Sequence, residues 1–146
     1  MKQKDRYDTA HLDENQFEPG FRRRVLKNLL HITSKRDMDR LEGREQMRAL
    51  EELASPDDRD HQFTAADVCR MHQLWLGSIY SWARKYSQVN VKKGTFSFAA
   101  AAQIAKLMTE FEAGALTRYT PCHPAGTESL AAGLAEVHVE LVLIHP

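Results

Sequence analysis

A chain of 146 residues with 20 basic and 20 acidic side chains, 42% hydrophobic and 27% charged, has the composition of one soluble globular domain. Zero formal net charge and a pI near 7.1 argue against a protein that holds nucleic acid through bulk charge, so no nucleic-acid partner is expected. The longest apolar run, Val139 to Ile144, is broken by Glu140 and falls far short of the roughly 20 residues of a membrane span, so no membrane partner is expected either.

No apolar stretch follows Met1-Lys2-Gln3-Lys4-Asp5, which leaves no visible signal peptide and makes a cytoplasmic location the expectation. Residues 1–20 are polar and close on Pro19-Gly20, the pattern of an extended N-terminal arm. From Phe21, the residues Val25, Leu26, Leu29 and Leu30 recur at helical spacing opposite Arg22, Arg23, Arg24 and Lys27, predicting a short amphipathic helix. Ser34 with Asp37 reads as a cap, and Met38, Leu41, Met47, Leu50 and Leu53 form the stripe of a charged helix ending at Ser55-Pro56. Thr64 with Asp67 repeats the cap before Val68, Met71, Trp75 and Ile79. From about 87 to 98 the period shortens: Val89, Val91, Phe96 and Phe98 alternate with polar residues around Lys92-Lys93-Gly94-Thr95, predicting a two-stranded hairpin. Helix returns over Ala99 to Phe111, with Ile104, Leu107, Met108 and Phe111 inward. Glu112 to Gly126 reads as a loop, and Thr127 as the cap of the last helix.

That last helix carries Leu130, Leu134, Val137, Leu141 and Ile144 on one face and Val139, Val142 and Leu143 on others. A helix apolar almost all round is built to be enclosed by protein. Exposing half of six such side chains forfeits about 5–8 kcal/mol, comparable with the whole stability of a domain. The expectation is therefore a covering element beyond these residues.

Gly77-Ser78-Ile79-Tyr80-Ser81-Trp82-Ala83, then Tyr86, then Val89-Asn90-Val91-Lys92-Lys93-Gly94-Thr95-Phe96-Ser97-Phe98-Ala99, then a helix ending Leu141-Val142-Leu143-Ile144-His145-Pro146, resembles the Fic (Fido) family over about residues 21–146. Most members transfer AMP from ATP to a hydroxyl side chain of a target protein. The family signature is His-Pro-Phe-x-Asp/Glu-Gly-Asn-Gly-Arg, and the sequence ends after its first two letters. The resemblance implies that His145 is the general base, a role suited to an imidazole. It makes the hairpin the flap that docks the target by strand addition, with Lys93, Gly94 and Thr95 at its tip. Arg84, Ser87 and Ser81 stand where Gly, Arg and Pro are more usual in the family, which predicts weaker docking.

ATP and magnesium are expected for a complete member, held by the acidic residue, the Gly-Asn-Gly turn and the Arg of the signature. Those letters are not among these residues, so tight binding of either by this chain, and AMP transfer by it, are not expected.

Bland readings stand beside these. A histidine ending an apolar helix is, without that context, a helix-terminal cap. Cys69, His72, Cys122 and His123 lack paired zinc spacing and read as small thiols and surface histidines, so no metal site is expected. His138 reads as a core histidine or one supporting His145. Arg22-Arg23-Arg24 reads as a solvated face, and Trp75, Tyr80, Trp82 and Tyr86 as packing at the hairpin base. Glu42-Gly43 matches the end of an inhibitory Ser/Thr-x-x-x-Glu-Gly/Asn motif, but Met38 occupies its Ser/Thr position.

The expected architecture is mainly α: an incomplete Fic-like helical bundle with one β-hairpin flap. It divides into an arm (1–20), N-terminal helices (21–60) and a partial Fic core (61–146) with the flap at about 87–98. Expected partners are a target protein on the flap and an antitoxin or a second copy on the last helix. The alternative function is a non-catalytic helical module that binds protein.

Overall fold

Two side-chain caps start the helices that organise the N-terminal half. A computed structural model describes residues 12–20, 24–54 and 59–146. Ser34 Oγ accepts from the Asp37 N–H (3.3 Å) at the head of α1 (Lys35–Leu53). At the head of α2 (Ala65–Leu76) the exchange is mutual: Thr64 Oγ1 accepts from the Asp67 N–H and Asp67 Oδ2 accepts from the Thr64 N–H, a capping box. After α2 the chain makes tight turns through residue 87. It then forms β1 (Lys92–Lys93) and β2 (Phe96–Ser97), α3 (Ile104–Phe111), a π-helical turn (Glu112–Leu116), α4 (Thr117–Tyr119) and α5 (Thr127–Ile144). The fold is mostly helical with one small antiparallel hairpin.

Two buried clusters hold it. Val25, Met38, Leu76, Ile79, Tyr80 and Ala83 close the space between α1, the end of α2 and the following turn. Ile104, Met108, Phe111, Ala115, Leu116 and Ile144 join α3, the π turn and α5, with Val68 and Ala65 of α2 against them. α2 therefore touches both.

The structure departs from the sequence pattern in five places. The helix expected from residue 21 is not formed over 24–33, and Phe21 to Arg23 lie outside the described residues. Buried Asn28 organises a loop instead: its amide donates to the Leu26 and Ile32 carbonyls, and its Oδ1 accepts from the Leu30 and Ile32 N–H groups. Asparagine competes with helix by satisfying nearby backbone itself. Here Phe17 also bridges Leu26, and the Leu29 N–H donates to the Ile79 carbonyl (2.8 Å).

On α1, Met47 and Leu50 are exposed, and the inward face is Met38, Leu41, Glu42, Glu45 and Ala49. Polar ties explain the rotation: the Trp75 indole N–H donates to the Glu42 carbonyl, and the Arg48 guanidinium to the Leu74 carbonyl (2.6 Å). The hairpin is shorter than the alternation predicts. Val89 and Val91 lie before the ladder, although Phe98 N–H still donates to the Val91 carbonyl. Much of the expected loop, Glu112 to Tyr119, is helical, because Ala115 and Leu116 are buried and Gly114 sits within a π turn. Gly126, not Thr127, occupies the cap of α5, and Thr127 is its first helical residue.

Asn28→Ala removes four hydrogen bonds and strands buried backbone groups. The expected cost is about 2 kcal/mol, read as a lower urea midpoint with an unchanged slope.

Candidate functional site

The site grows from the last turn of α5. Ile144 is the final helical residue, and His145 turns left-handed (φ 50°), its N–H still closing on the Leu141 carbonyl (3.0 Å). The last carbonyls of a helix have no partner within it. At this end they find one in the hairpin segment. Ala99 N–H, just past β2, donates to the Leu143 carbonyl (3.1 Å), and Ser87 N–H, just before the hairpin, donates to the Pro146 carbonyl (2.7 Å). One end of the flap is thus tied to the last turn of α5 and the other to Pro146, just past it. The Phe98 ring lies 4.6 Å from the His145 ring, tilted by 38°, and Phe96 meets Phe98 edge-on at 5.1 Å. The imidazole remains exposed.

Lys93, Gly94 and Thr95 stand at the exposed tip of the hairpin. Lys93 pairs with Phe96, and Gly94 has φ +61°, a conformation that favours glycine. The flap residue against His145 is Phe98, at the base. Sequence reasoning placed Phe98 on a strand without linking it to the histidine. The period-2 alternation was the available signal, since it puts Phe96 and Phe98 on one face.

Beneath the site, His72 of α2, Trp82 and Tyr80 form a stack. Tyr80 and Trp82 lie 4.5 Å apart and nearly parallel, with the His72 ring 5.8 Å from Trp82. Tyr80 donates to a Glu42 carboxylate oxygen (2.6 Å), and burial together with that carboxylate pushes the phenol well above its usual range. Burial, aided by the charge of nearby His145, holds the His72 imidazole below its ordinary 6.5. His72 Nδ1 accepts a hydrogen bond from the Arg84 N–H (3.3 Å). The Glu42 of the Glu42-Gly43 pair is thus occupied in tying α1 to this stack.

The four possible zinc ligands have other neighbours. Cys69 is half-buried near Tyr86, Cys122 is exposed, and His123 pairs with Asp60 (2.9 Å). Among the described residues no three His, Cys, Asp or Glu side chains converge as a metal site would need. His138 is exposed and takes no core position. An apolar groove of about 410 Å³ runs between Val68 of α2, Leu116 and Leu134, Val137 and Leu141 of α5, and neither His145 nor the flap lines it. No helix among the described residues is long and apolar enough to cross a membrane.

A helical bundle whose last helix ends in a histidine beneath a tethered hairpin is the architecture of a Fic domain. Residues 62–146, more than half of the chain, match the model of the Fic/DOC family, and the chain belongs to that family. Solved structures with the same fold include the N-terminal Fic domain of a Bartonella effector protein (Bep), a VirB T4SS substrate, from Bartonella sp. AR 15-3 (TM-score 0.76, 20% identity, 93% of this chain and 65% of that one). BepC from Bartonella tribocorum with bound AMPPNP is also similar (TM-score 0.76, 19% identity, 93% and 70%). So is the N-terminal Fic domain of a putative cell filamentation protein from Bartonella quintana with bound ADP (TM-score 0.74, 22% identity, 93% and 69%). The chain spans 65% of the length of the first of these. No curated protein matches it.

His72 offers a pH test. Its folded form favours the neutral ring, so the stability it contributes is complete above 6.5 and is lost as pH falls through its lowered folded value. Its midpoint, followed by NMR, is expected below 6.5. In His145→Ala it should rise only part of the way back, because burial is the larger cause and persists.

Proposed function

We propose that this chain carries the base and the target-docking flap of a protein AMP-transferase, which moves AMP from ATP to a hydroxyl side chain of a second protein. The observation that carries the reading is His145 at the end of α5, its imidazole exposed beside Phe98 and its flanking residues Leu143 and Pro146 tied to the two ends of the hairpin segment. A target segment adding as a strand along the hairpin would bring its hydroxyl to a base already fixed at the flap's root. His145 then takes the hydroxyl proton on a ring nitrogen as the oxygen attacks the α-phosphorus of ATP, and the bond from that phosphorus to the β-phosphate oxygen breaks to release pyrophosphate.

The structures with bound AMPPNP and ADP belong to other proteins of this fold, and they support a nucleotide as co-substrate here. The residues beside His145 do not fit magnesium. Its neighbours are the Phe98 ring and the His72 imidazole, not carboxylates, and among the described residues no acidic cluster stands there. No step is therefore routed through a metal. Positioning and charge stabilisation supply nearly all of phosphoryl-transfer catalysis, so these 146 residues are expected to transfer no AMP unaided. We place the reaction in the cytoplasm, where ATP is abundant.

A second reading, a module that binds protein without catalysis, is favoured by one observation. Leu134, Val139, Val142 and Leu143 of α5 are between 45% and 59% exposed. An antitoxin or a second copy of the chain that wrapped about half of the helix circumference would cover these side chains.

The test uses labelled ATP and the chain completed by the Phe-x-Asp/Glu-Gly-Asn-Gly-Arg segment and the helices that follow it in the family. His145→Ala should lower protein labelling by at least about a hundredfold, with ATP affinity nearly unchanged. Labelling that survives the substitution, or no labelled protein from the unsubstituted chain, refutes the enzyme reading.

A further inference from the structure

His145 is held from two sides. The hairpin supplies Phe98, and the turn from Tyr80 to Ser87 supplies the N–H that binds Pro146. That turn contains an unfavourable conformation. Arg84 has φ +81°, outside the region that a residue with a side chain ordinarily adopts. Such a residue persists only where its surroundings over-determine it. Its side chain is exposed, so burial does not do so. Two hydrogen bonds stand beside it: Lys85 N–H donates to the Trp82 carbonyl (3.1 Å), and Arg84 N–H donates to His72 Nδ1 (3.3 Å). The first is local to the turn. The second ties the turn to α2, and Trp82 is lodged between Tyr80 and the same imidazole.

An imidazole accepts through Nδ1 only when that nitrogen carries no proton; the imidazolium has donors alone. We propose that His72 is a positioning residue for His145. Its unprotonated Nδ1 holds the Arg84 turn, and through the Ser87–Pro146 hydrogen bond the turn holds His145 against Phe98. This rests on the reading of His145 as the base only for its consequence in catalysis, not for the clamp itself.

The charged groups around His72 leave the acceptor role intact at neutral pH. Arg84 and Lys85 on the turn have exposed side chains. Cys69 of α2 and Tyr86 lie near each other on the neighbouring positions. From α5 it is His145 whose charge bears on His72, and it disfavours a proton on the His72 ring. A proton gained by His72 would turn its acceptor into a donor facing the Arg84 N–H, and the clamp would open.

Two substitutions and one titration test this on the 146-residue chain. His72→Asn places a carbonyl oxygen near the position of Nδ1 and does not titrate. His72→Leu keeps apolar bulk and removes the acceptor. Amide exchange at Arg84 and Ser87, expressed as protection factors, reports the turn, and the NOE between the His145 and Phe98 rings reports the placement of the imidazole. At pH 7.5 the unsubstituted chain and His72→Asn should both protect the two amides and show the NOE. His72→Leu should lose about tenfold in protection, as expected for one hydrogen bond of ordinary net strength, and lose the NOE. As pH falls below the His72 midpoint followed by NMR in the same chain, the unsubstituted chain should approach the leucine variant while His72→Asn does not change.

Equal protection in all three chains overturns the proposal. So does an asparagine variant as loose as the leucine one, which would assign the effect to ring packing on Trp82. If His72→Leu fails to fold, the asparagine variant and the pH arm still decide. None of these readouts needs AMP transfer, so a failed transferase reading and a failed clamp are told apart.

Discussion

The two backbone hydrogen bonds that join the hairpin segment to Leu143 in the last turn of α5 and to Pro146 just past it are the constraint on which the site depends. A hairpin of two residues per strand is not stable alone in water. The end of a helix, for its part, leaves carbonyls that need partners. Ala99 to Leu143 meets both needs at once, and Ser87 to Pro146 fixes the other end of the hairpin segment. Because these bonds run from main chain to main chain, the position of the flap relative to His145 is set without reliance on any particular flap side chain. Lys93 and Thr95 are free to vary at the tip, where Gly94 holds its positive φ, while Phe98 stays beside the imidazole.

The support for that arrangement reaches back to α1 through polar contacts more than apolar ones. Glu42 binds Tyr80 through its carboxylate and Trp75 through its carbonyl, and Arg48 reaches the Leu74 carbonyl. Tyr80 stacks on Trp82, and Trp82 lies against His72. A charged helix such as α1 cannot bury a wide apolar face, so it fixes its partner by directional bonds. Directional bonds specify one rotation of a helix, and that is why Met47 and Leu50, which fit the apolar spacing, face outward.

The parts of this fold that were legible in the sequence are those set by local chemistry. Ser34 with Asp37 and Thr64 with Asp67 announce two helix starts because a side chain and a backbone N–H three residues apart decide them. Ile104, Met108 and Phe111 announce a buried face because their spacing matches the helical period. What was not legible depends on partners distant in the chain. Val25 to Leu30 has helical spacing, yet Asn28 and the contacts to Phe17 and Ile79 make it a loop. Gly114 looked like a breaker but is accommodated where Ala115 and Leu116 are buried. At the site, the position of His145 followed from its motif, whereas the neighbours Phe98, Ser87 and His72 come from three segments that only the fold assembles.

The same reasoning bears on α5. Four half-exposed Leu and Val side chains leave roughly 3–6 kcal/mol of burial unrealised, in a domain whose net stability is about 5–15 kcal/mol. Ile144 is buried in the second cluster and the helix end is tied to the flap, so α5 is anchored through its C-terminal turn. The side chains of Leu134, Val139, Val142 and Leu143 contribute little to that anchoring, in which Leu143 takes part through its carbonyl. A protein surface that covered them would gain apolar burial without displacing any contact that places His145. Its effect on the site would instead come through the stiffness of the helix that carries the imidazole, which couples whatever binds α5 to the geometry at the flap.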